Sequence, residues 1–452
     1  MLGLASTRPL WSTSFRGCSK AVLSSRPFQR SLTTRPAKPA FFFPSHRFHP
    51  FFAPSFRSFS SAAFAQAGTS APRASAPTQR AIPKSLPNWL LGCSALVFGI
   101  LVVGGLTRLT ESGLSIVEWN LVTGIRPPIT QAEWDEEWEK YKVSPEGVLM
   151  NSKIEMSEFK KIFYMEWAHR IGGRMLGLTF AIPAVYYMAR YRLPRGLPTR
   201  LVALGLGIGA QGVIGWYMVK SGLEQEIIDT KGVPRVSQYR LAAHLSAALA
   251  LYIGMLSTAL SLRRDLKAPQ INLNSAPLRR FKGLAHLAGA MVFLTAVSGA
   301  FVAGLDAGLV YNEFPTMGGK IVPDADELFD KRYAKSDADL WWRNIFENPV
   351  TAQFDHRLFA TTTFGVLLSL PLIARVPSLR KVLPRATRRI TDLTAVAAVS
   401  QVTLGITTLL YLVPIPLAAM HQAGSVVLLT CLTALGVSLR RPRAAVQLAK
   451  KL

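Results

Sequence analysis

Apolar residues make up 49% of this 452-residue chain, and most of them occur in long runs separated by shorter polar stretches. Each run is about 20 residues long, which is the length that an α-helix needs to cross a bilayer. The pattern predicts an all-α polytopic membrane protein with eight transmembrane helices. The predicted spans are residues 88–107, 163–189, 200–219, 238–262, 282–304, 354–374, 390–411 and 416–438.

The second half of the chain repeats features of the first half. After a shift of 195 positions, the end of the first run matches the end of the fifth: Gly104 with Gly299, Glu111 with Asp306, Gly113 with Gly308 and Leu114 with Leu309. Because each half holds four spans, both halves start from the same side of the membrane. We therefore predict two parallel-repeat four-helix bundles, at 84–265 and 281–440, joined by a matrix linker at 266–280.

The net charge of +26 is strongly basic, yet the lysines and arginines do not gather in one folded domain. A nucleic-acid partner is therefore not expected. Residues 1–83 hold eleven Lys and Arg and no acidic residue. Such a basic tail, rich in Ser, Pro and Phe, is typical of a mitochondrial transit peptide. A disordered basic arm that is retained in the mature protein is the alternative.

Basic residues also fill every second loop, at 190–200, 263–282 and 375–389, and the C-terminal tail at 441–452. The opposite loops are richer in acidic residues. Positive charge marks the side from which a membrane protein is inserted. With a mitochondrial transit peptide, that rule places the basic loops and both termini in the matrix, and the spans in the inner membrane.

Four histidines lie at matching places in the two halves. His169 and His356 are near the start of the second and sixth spans, and His244 and His421 are near the start of the fourth and eighth. Each half thus presents two imidazoles at similar depth, which is typical of a haem iron bound from both sides. Zinc is the competing metal, but it needs three or four protein ligands and each half offers two.

One carboxylate distinguishes the two halves. Glu166 precedes His169 by three residues, which places both side chains on one face of a helix, whereas the second half has Gln353 at this place. An ionisable group at this depth is costly unless it is paired or functional, so we predict a catalytic role for Glu166. A glutamate that reaches interfacial water is the alternative. Arg170 and Arg357 are predicted as partners of haem propionates, or as anchors to lipid headgroups.

From about residue 88 to residue 440 the chain resembles the haem A synthase family, in its mitochondrial and proteobacterial form. The resemblance is carried by Gly104–Ser115, Glu166–Arg174, Gly304–Asn312 and Gln353–Arg357. It implies an inner-membrane enzyme that oxidises the C8 methyl group of haem O to a formyl group, giving haem A for cytochrome c oxidase.

The resemblance also implies what each site residue and each partner does. His169 and His244 would be the axial ligands of the substrate haem, and His356 and His421 those of a cofactor haem b. Glu166 would be the catalytic carboxylate. Haem O synthase and a ferredoxin-type redox protein are the partners that this function predicts, and we also predict a homo-oligomer.

Two other functions fit the pattern of spans. A di-haem electron-transfer cytochrome of the b561 type would use four equivalent histidines and would not need Glu166. A transporter or a structural assembly factor would use the repeat without haem. The haem content of the purified protein separates these functions.

Overall fold

The computed structural model describes residues 82–120, 122–265 and 275–440, which all belong to one compact unit. Within these ranges the regular structure is helical, and no β-strand occurs. The all-α prediction is therefore confirmed for the described residues. The predicted transit peptide up to residue 81, residues 266–274 of the predicted linker and the basic tail at 441–452 lie outside them.

Among the described residues, eight long helices account for the eight predicted apolar runs, and most of them begin a few residues before the predicted span. They are α1 (Ser85–Leu109), α2 (Met156–Arg190), α3 (Leu197–Lys220), α4 (Gln238–Asp265), α5 (Ala276–Gly304), α6 (Pro349–Ala374), α7 (Arg385–Leu410) and α8 (Ile415–Ser438). Residues 276–280, which were assigned to the linker, form the beginning of α5.

Seven of the described helices, all except α2, are long and apolar enough to cross a membrane. Helix α2 has 35 residues, but it carries Glu166, Arg170 and Arg174 within its apolar stretch. These charged side chains lower its hydropathy. Length and composition thus support seven spans directly, one fewer than the sequence pattern predicts.

The long helices pack in two closed rings. Helix α1 packs against α2 and α4, and α3 packs against the same two helices. In the second half, α5 and α7 each pack against α6 and α8. The two rings meet through contacts of α1 with α8 and of α4 with both α5 and α8. A continuous hydrophobic cluster joins them, with Leu86, Met255 and Leu435 fully buried.

Shorter helices lie in the loops between the long ones. They are Gln131–Lys142, Pro145–Leu149, Glu226–Asp229, Ala325–Leu328, Leu340–Glu347 and Pro377–Arg380, with 3-10 turns at Thr123–Ile125, Ala307–Leu309 and Lys331–Tyr333. The helices at 131–149 pack on the start of α2 through an aromatic cluster of Trp134, Tyr141, Phe159 and Phe163. This cluster covers the end of the first ring at which α2 begins.

The matching halves also end their first helices alike. Glu111 and Asp306 follow α1 and α5 with φ angles of 50° and 51°. This left-handed conformation is uncommon for residues other than glycine. Asp306 also joins the halves, because the Arg108 side chain at the end of α1 donates to its carboxylate at 2.6 Å and to the Ala303 carbonyl at 2.8 Å. At the other end of the helices, Arg440 pairs with the buried Asp265 at 2.7 Å.

Candidate functional site

The four predicted histidines lie on the even-numbered helices and form two close pairs. His169 on α2 faces His244 on α4, with ring centres 6.5 Å apart and ring planes at 76°. His356 on α6 faces His421 on α8 at the same 6.5 Å, with ring planes at 84°. The structure therefore brings together the residues that the sequence paired in each half.

The spacing of the rings fits one iron atom between each pair. Two bonds of about 2 Å from a metal to imidazole nitrogens, plus two ring radii of about 1 Å, separate the ring centres by about 6 Å. Both pairs have this spacing. Imidazoles in direct contact would be closer, and rings too far apart could not share one iron.

Each histidine ring packs against a glycine on the preceding odd-numbered helix. A Cβ atom added to these glycines would lie close to the Cε1 atom of the facing ring: 2.6 Å for Gly104 and His169, 3.1 Å for Gly215 and His244, 3.1 Å for Gly299 and His356, and 2.8 Å for Gly405 and His421. The same edge of the imidazole faces the glycine in all four cases. The lack of a side chain at these positions sets how closely each ring can approach the neighbouring helix.

The set of donors fits haem better than a metal bound by protein alone. Among the described residues, no group of three or more His, Cys, Asp or Glu side chains could hold a metal ion. Zinc sites need three or four such ligands. A haem iron is already bound by the porphyrin and takes only axial ligands from the protein, and two imidazoles supply them.

The Nδ1 atoms of the histidines differ between the halves. In the second half, Ser298 Oγ lies 2.8 Å from Nδ1 of His356, and the Gln401 carbonyl lies 3.2 Å from Nδ1 of His421. In the first half, the Nδ1 atoms of His169 and His244 are buried and make no hydrogen bond of normal geometry.

Glu166 is 2% exposed and is fully engaged by hydrogen-bond donors. One carboxylate oxygen accepts from Ser115 Oγ at 2.7 Å and from the Ile116 N–H at 2.9 Å. The other accepts from Nε and Nη2 of Arg170 at 3.0 and 2.6 Å. These four bonds fill the sites at which an ionised carboxylate accepts hydrogen bonds. Glu166 thus ties α2 to the segment that follows α1.

The two predicted propionate partners also hold loops in place. Arg170 donates to the Ile116 and Glu118 carbonyls at 2.8 and 2.9 Å, in addition to Glu166. Arg357 donates to the Tyr311 and Thr316 carbonyls, both at 3.0 Å. A haem propionate would compete with these carbonyls for the guanidinium groups, and the role of both arginines towards propionates stays a prediction.

Gln353, which takes the place of Glu166 in the second half, makes a different contact. Its side-chain amide is 3% exposed and donates to the Tyr311 carbonyl at 3.1 Å. Tyr311 matches Ile116 after the shift of 195 positions. The glutamate accepts from the peptide N–H at this position, whereas the glutamine donates to the peptide carbonyl. The half with Gln353 therefore lacks the buried negative charge.

A second buried carboxylate, Glu146, lies in the short helix 145–149 and was not predicted. It is 4% exposed and accepts from Tyr141 Oη at 2.9 Å and from Asn151 Nδ2 at 3.3 Å. Burial raises the pKa of Glu146 to about 7, and the nearby charge of Glu166 adds to this rise. No sequence signal distinguished it from the other acidic residues of this loop.

Sequence reasoning also missed the packing role of the four glycines and the contacts of Ser298 and Gln401. The glycines could have been found, because Gly104 matches Gly299 in the repeat and Gly215 matches Gly405. Ser298 could not, because its counterpart in the first half is Val103, so the repeat gives no signal at this position.

Comparison with known proteins identifies the family to which the chain is similar. The family model described as cytochrome oxidase assembly protein, COX15-CtaA, matches residues 87–433. Heme A synthase COX15 of Saccharomyces cerevisiae is 48% identical over 378 residues, which cover 80% of this chain and 76% of that relative. Heme A synthase of Nitrosospira multiformis is 43% identical over 362 residues, which cover 80% of this chain and 95% of that relative.

A third relative is longer. The heme A synthase-mitochondrial ferredoxin fusion protein of Schizosaccharomyces pombe is 45% identical over 368 residues, which cover 78% of this chain but only 59% of the fusion protein. On the extent of the family match and of these identities, the chain belongs to the COX15-CtaA family of cytochrome oxidase assembly proteins.

Proposed function

We propose that this protein is a haem A synthase, which oxidises the C8 methyl group of haem O to a formyl group. The observation that carries the proposal is the pair of histidine sites with the spacing of a bis-imidazole haem, only one of which has a buried carboxylate three residues before a ligand. The relatives named heme A synthase support the same reaction. Conversion of a methyl group to a formyl group is a four-electron oxidation, in which two successive hydroxylations give a gem-diol that loses water.

The two sites have different tasks in this proposal. His169 and His244 hold the substrate haem, and His356 and His421 hold a haem b, as the family resemblance implies. A haem b in the second site would accept and pass on electrons one at a time. The contacts between α1 and α8 and between α4 and α5 keep the two sites in neighbouring rings of one compact unit.

Glu166 supplies a fixed negative charge beside the first site. Because its acceptor positions are filled by Arg170, Ser115 and Ile116, it is held in one orientation. Such a charge stabilises positive charge that develops during an oxidation, and it needs no reorganisation during the reaction. To accept a proton as a general base, Glu166 would first have to release one of these donors.

The membrane arrangement that we propose has eight spans, with α2 as the eighth, and both termini in the matrix. Helix α2 packs against α1 and α3 as a full member of the first ring, which supports its inclusion. The pairing of Arg440 with Asp265 places the end of α8 at the same end of the helices as the end of α4. A C-terminal epitope that protease reaches from the intermembrane space would disprove this topology.

A ferredoxin-type protein is the proposed electron-transfer partner. The fusion protein of S. pombe carries a mitochondrial ferredoxin in its name, and the basic loops offer a surface for an acidic protein. From His169 to Arg190, α2 rises about 30 Å at about 1.5 Å per residue. Ferredoxin bound at these loops therefore needs a further carrier to reach the haem sites. Binding to the reconstituted protein that does not weaken with salt would argue against this docking surface.

Contact with haem O synthase and a homo-oligomeric state stay predictions. Co-purification with haem O synthase tests the first. The mass of the detergent-solubilised protein, with the bound detergent subtracted, tests the second.

The experiment that tests the function is the identification of the bound haems. The protein is produced together with haem O synthase and purified in detergent, and its haems are extracted and separated by chromatography with mass detection. Haem B together with haem O or haem A is the expected result. Two equivalents of haem B alone would instead indicate an electron-transfer cytochrome, and a colourless protein would exclude both functions.

A further inference from the structure

Ser298 makes a contact with one haem ligand that its counterpart in the other half cannot make. The surroundings of His169 and His356 are otherwise alike, since the Ile100 carbonyl approaches the first ring and the matching Thr295 carbonyl approaches the second. In the second half, the Ser298 hydroxyl adds a contact of 2.8 Å to Nδ1 of His356. The position that matches Ser298 in the first half is Val103, which has no polar group.

The hydroxyl proton decides which way the bond to His356 runs. Ser298 Oγ donates to the Thr295 carbonyl at 2.8 Å, and a carbonyl can only accept. With its single proton used there, the hydroxyl accepts from the Nδ1–H group of His356. The proton on Nδ1 leaves Nε2 unprotonated, which is the form of imidazole that binds a metal.

His421, the other predicted ligand of the second half, also has hydrogen-bond partners. The Gln401 side chain donates to the His421 carbonyl at 2.8 Å, and the Gln401 carbonyl lies 3.2 Å from Nδ1 of His421. In the first half, Gln211 donates only to the His244 carbonyl, at 3.2 Å. In the second half both Nδ1 atoms thus have a contact of normal geometry, to Ser298 and to Gln401. In the first half His169 has only the approach of the Ile100 carbonyl, and Nδ1 of His244 has no hydrogen-bond partner.

We propose that Ser298 is a positioning residue that locks His356 and makes the second site retain its haem, whereas Val103 leaves the first site able to exchange its haem. The proposal rests on the function proposed above, in which one site keeps a cofactor and the other releases a product. Partners of this kind typically change the affinity for a metal by about 10- to 100-fold. They also raise the basicity of the ligand, which lowers the reduction potential of the iron.

Exchange of the two residues tests the proposal. Purified Ser298→Val, Ser298→Thr and Val103→Ser proteins are mixed with an excess of apomyoglobin, and the haems that remain bound are identified by chromatography over time. We expect Ser298→Val to lose haem B roughly 10- to 100-fold faster than the unchanged protein. Ser298→Thr keeps the hydroxyl and should lose haem B at the original rate. Val103→Ser should slow the loss of haem O or haem A.

The reduction potential separates positioning from a general loss of structure. We expect the potential of the haem b to rise in Ser298→Val and to stay unchanged in Ser298→Thr. If Ser298→Val does not fold, Ser298→Ala removes the same hydroxyl with less bulk. Equal rates of haem B loss and equal potentials in all variants would overturn the role of Ser298. A protein that holds only haem B, or no haem, would instead refute the proposed function.

Discussion

We expect alanine substitution of the glycines that face the histidine rings to weaken haem binding, and to weaken it more where the glycine lies closer to the ring. In Gly104→Ala, the new methyl group would lie 2.6 Å from Cε1 of His169, and in Gly405→Ala it would lie 2.8 Å from Cε1 of His421. Both distances are too short for non-bonded carbon atoms, so the ring or the helix must move. Overpacking of this kind costs about 1–3 kcal/mol. Because an imidazole bound to iron cannot turn away, we expect most of this cost to appear as weaker haem binding.

The size of the effect follows from these distances. A cost of about 1–3 kcal/mol corresponds to roughly 5- to 150-fold weaker binding, at tenfold per about 1.4 kcal/mol. Gly215→Ala and Gly299→Ala, with contacts of 3.1 Å, should have smaller effects. Gly92 on α1 and Gly289 on α5 have no atom within 4 Å of an added methyl group. Their alanine variants should gain about 1 kcal/mol of helix stability and bind haem normally.

The assay measures haem per chain by Soret absorbance during titration with haem, together with the temperature of thermal unfolding. Gly104→Ala should lower the occupancy of the first site and Gly405→Ala that of the second. The matched controls on α1 and α5 correct for the general effect of alanine in these helices. If Gly104→Ala binds haem as tightly as Gly92→Ala, the rings are not fixed against the glycines and the reasoning is wrong.

Three further predictions follow from other contacts. Glu166→Gln should keep both haems and abolish haem A formation, and normal haem A yield by chromatography would exclude the proposed role of the charge. An added methyl group at Gly105 would overlap Oε1 of Gln422, whose Nε2 donates to the Leu101 carbonyl at 2.9 Å. Gly105→Ala should therefore lower the unfolding temperature, and adding Gln422→Ala should restore it; a double variant as unstable as Gly105→Ala would show that this contact is not the cause. The pKa of Glu146, raised by burial from 4.5 to about 7, means that the protonated acid favours the folded state and that stability falls as pH rises from about 4.5 to 7. Glu146→Gln should thus raise the unfolding temperature at pH 8 and change it little at pH 4, and an equal shift at both pH values would contradict the burial argument.

The sequence predicted the positions of the eight long helices in the described part of the chain, because runs of apolar residues are a strong signal for helices in a membrane. The helix boundaries differ from the predicted ones. Helix α6, for example, begins at Pro349, five residues before the predicted span. The Asn348 side chain accepts from the Val350 N–H at 2.9 Å and so caps the helix. These first residues are polar or small, so hydropathy does not mark them as part of the span.

The sequence predicted those site residues that have a counterpart in the other half of the repeat. Matching positions in the two halves identified the four histidines, and the exchange of Glu166 for Gln353 identified the half with a charge. Ser298 and Glu146 belong to neither pattern. Their importance depends on burial and on the direction of single hydrogen bonds, which a pattern of residue types does not contain.

The partners of Glu166 change how its difference from Gln353 is interpreted. Sequence alone describes the exchange as the loss of a negative charge. In the structure the exchange also reverses a backbone contact, since Glu166 accepts from the Ile116 N–H and Gln353 donates to the Tyr311 carbonyl. Both arginines nevertheless contact the matching carbonyl, since Arg170 donates to Ile116 and Arg357 donates to Tyr311. The two halves therefore differ in the contact made by Glu166 or Gln353 and not in this contact of the arginine. A glutamine at position 166 would remove the charge and one of the two acceptor oxygens, so it could not keep both the bonds from Arg170 and those from Ser115 and Ile116. The charge and the shape of this segment are thus one feature of the first site.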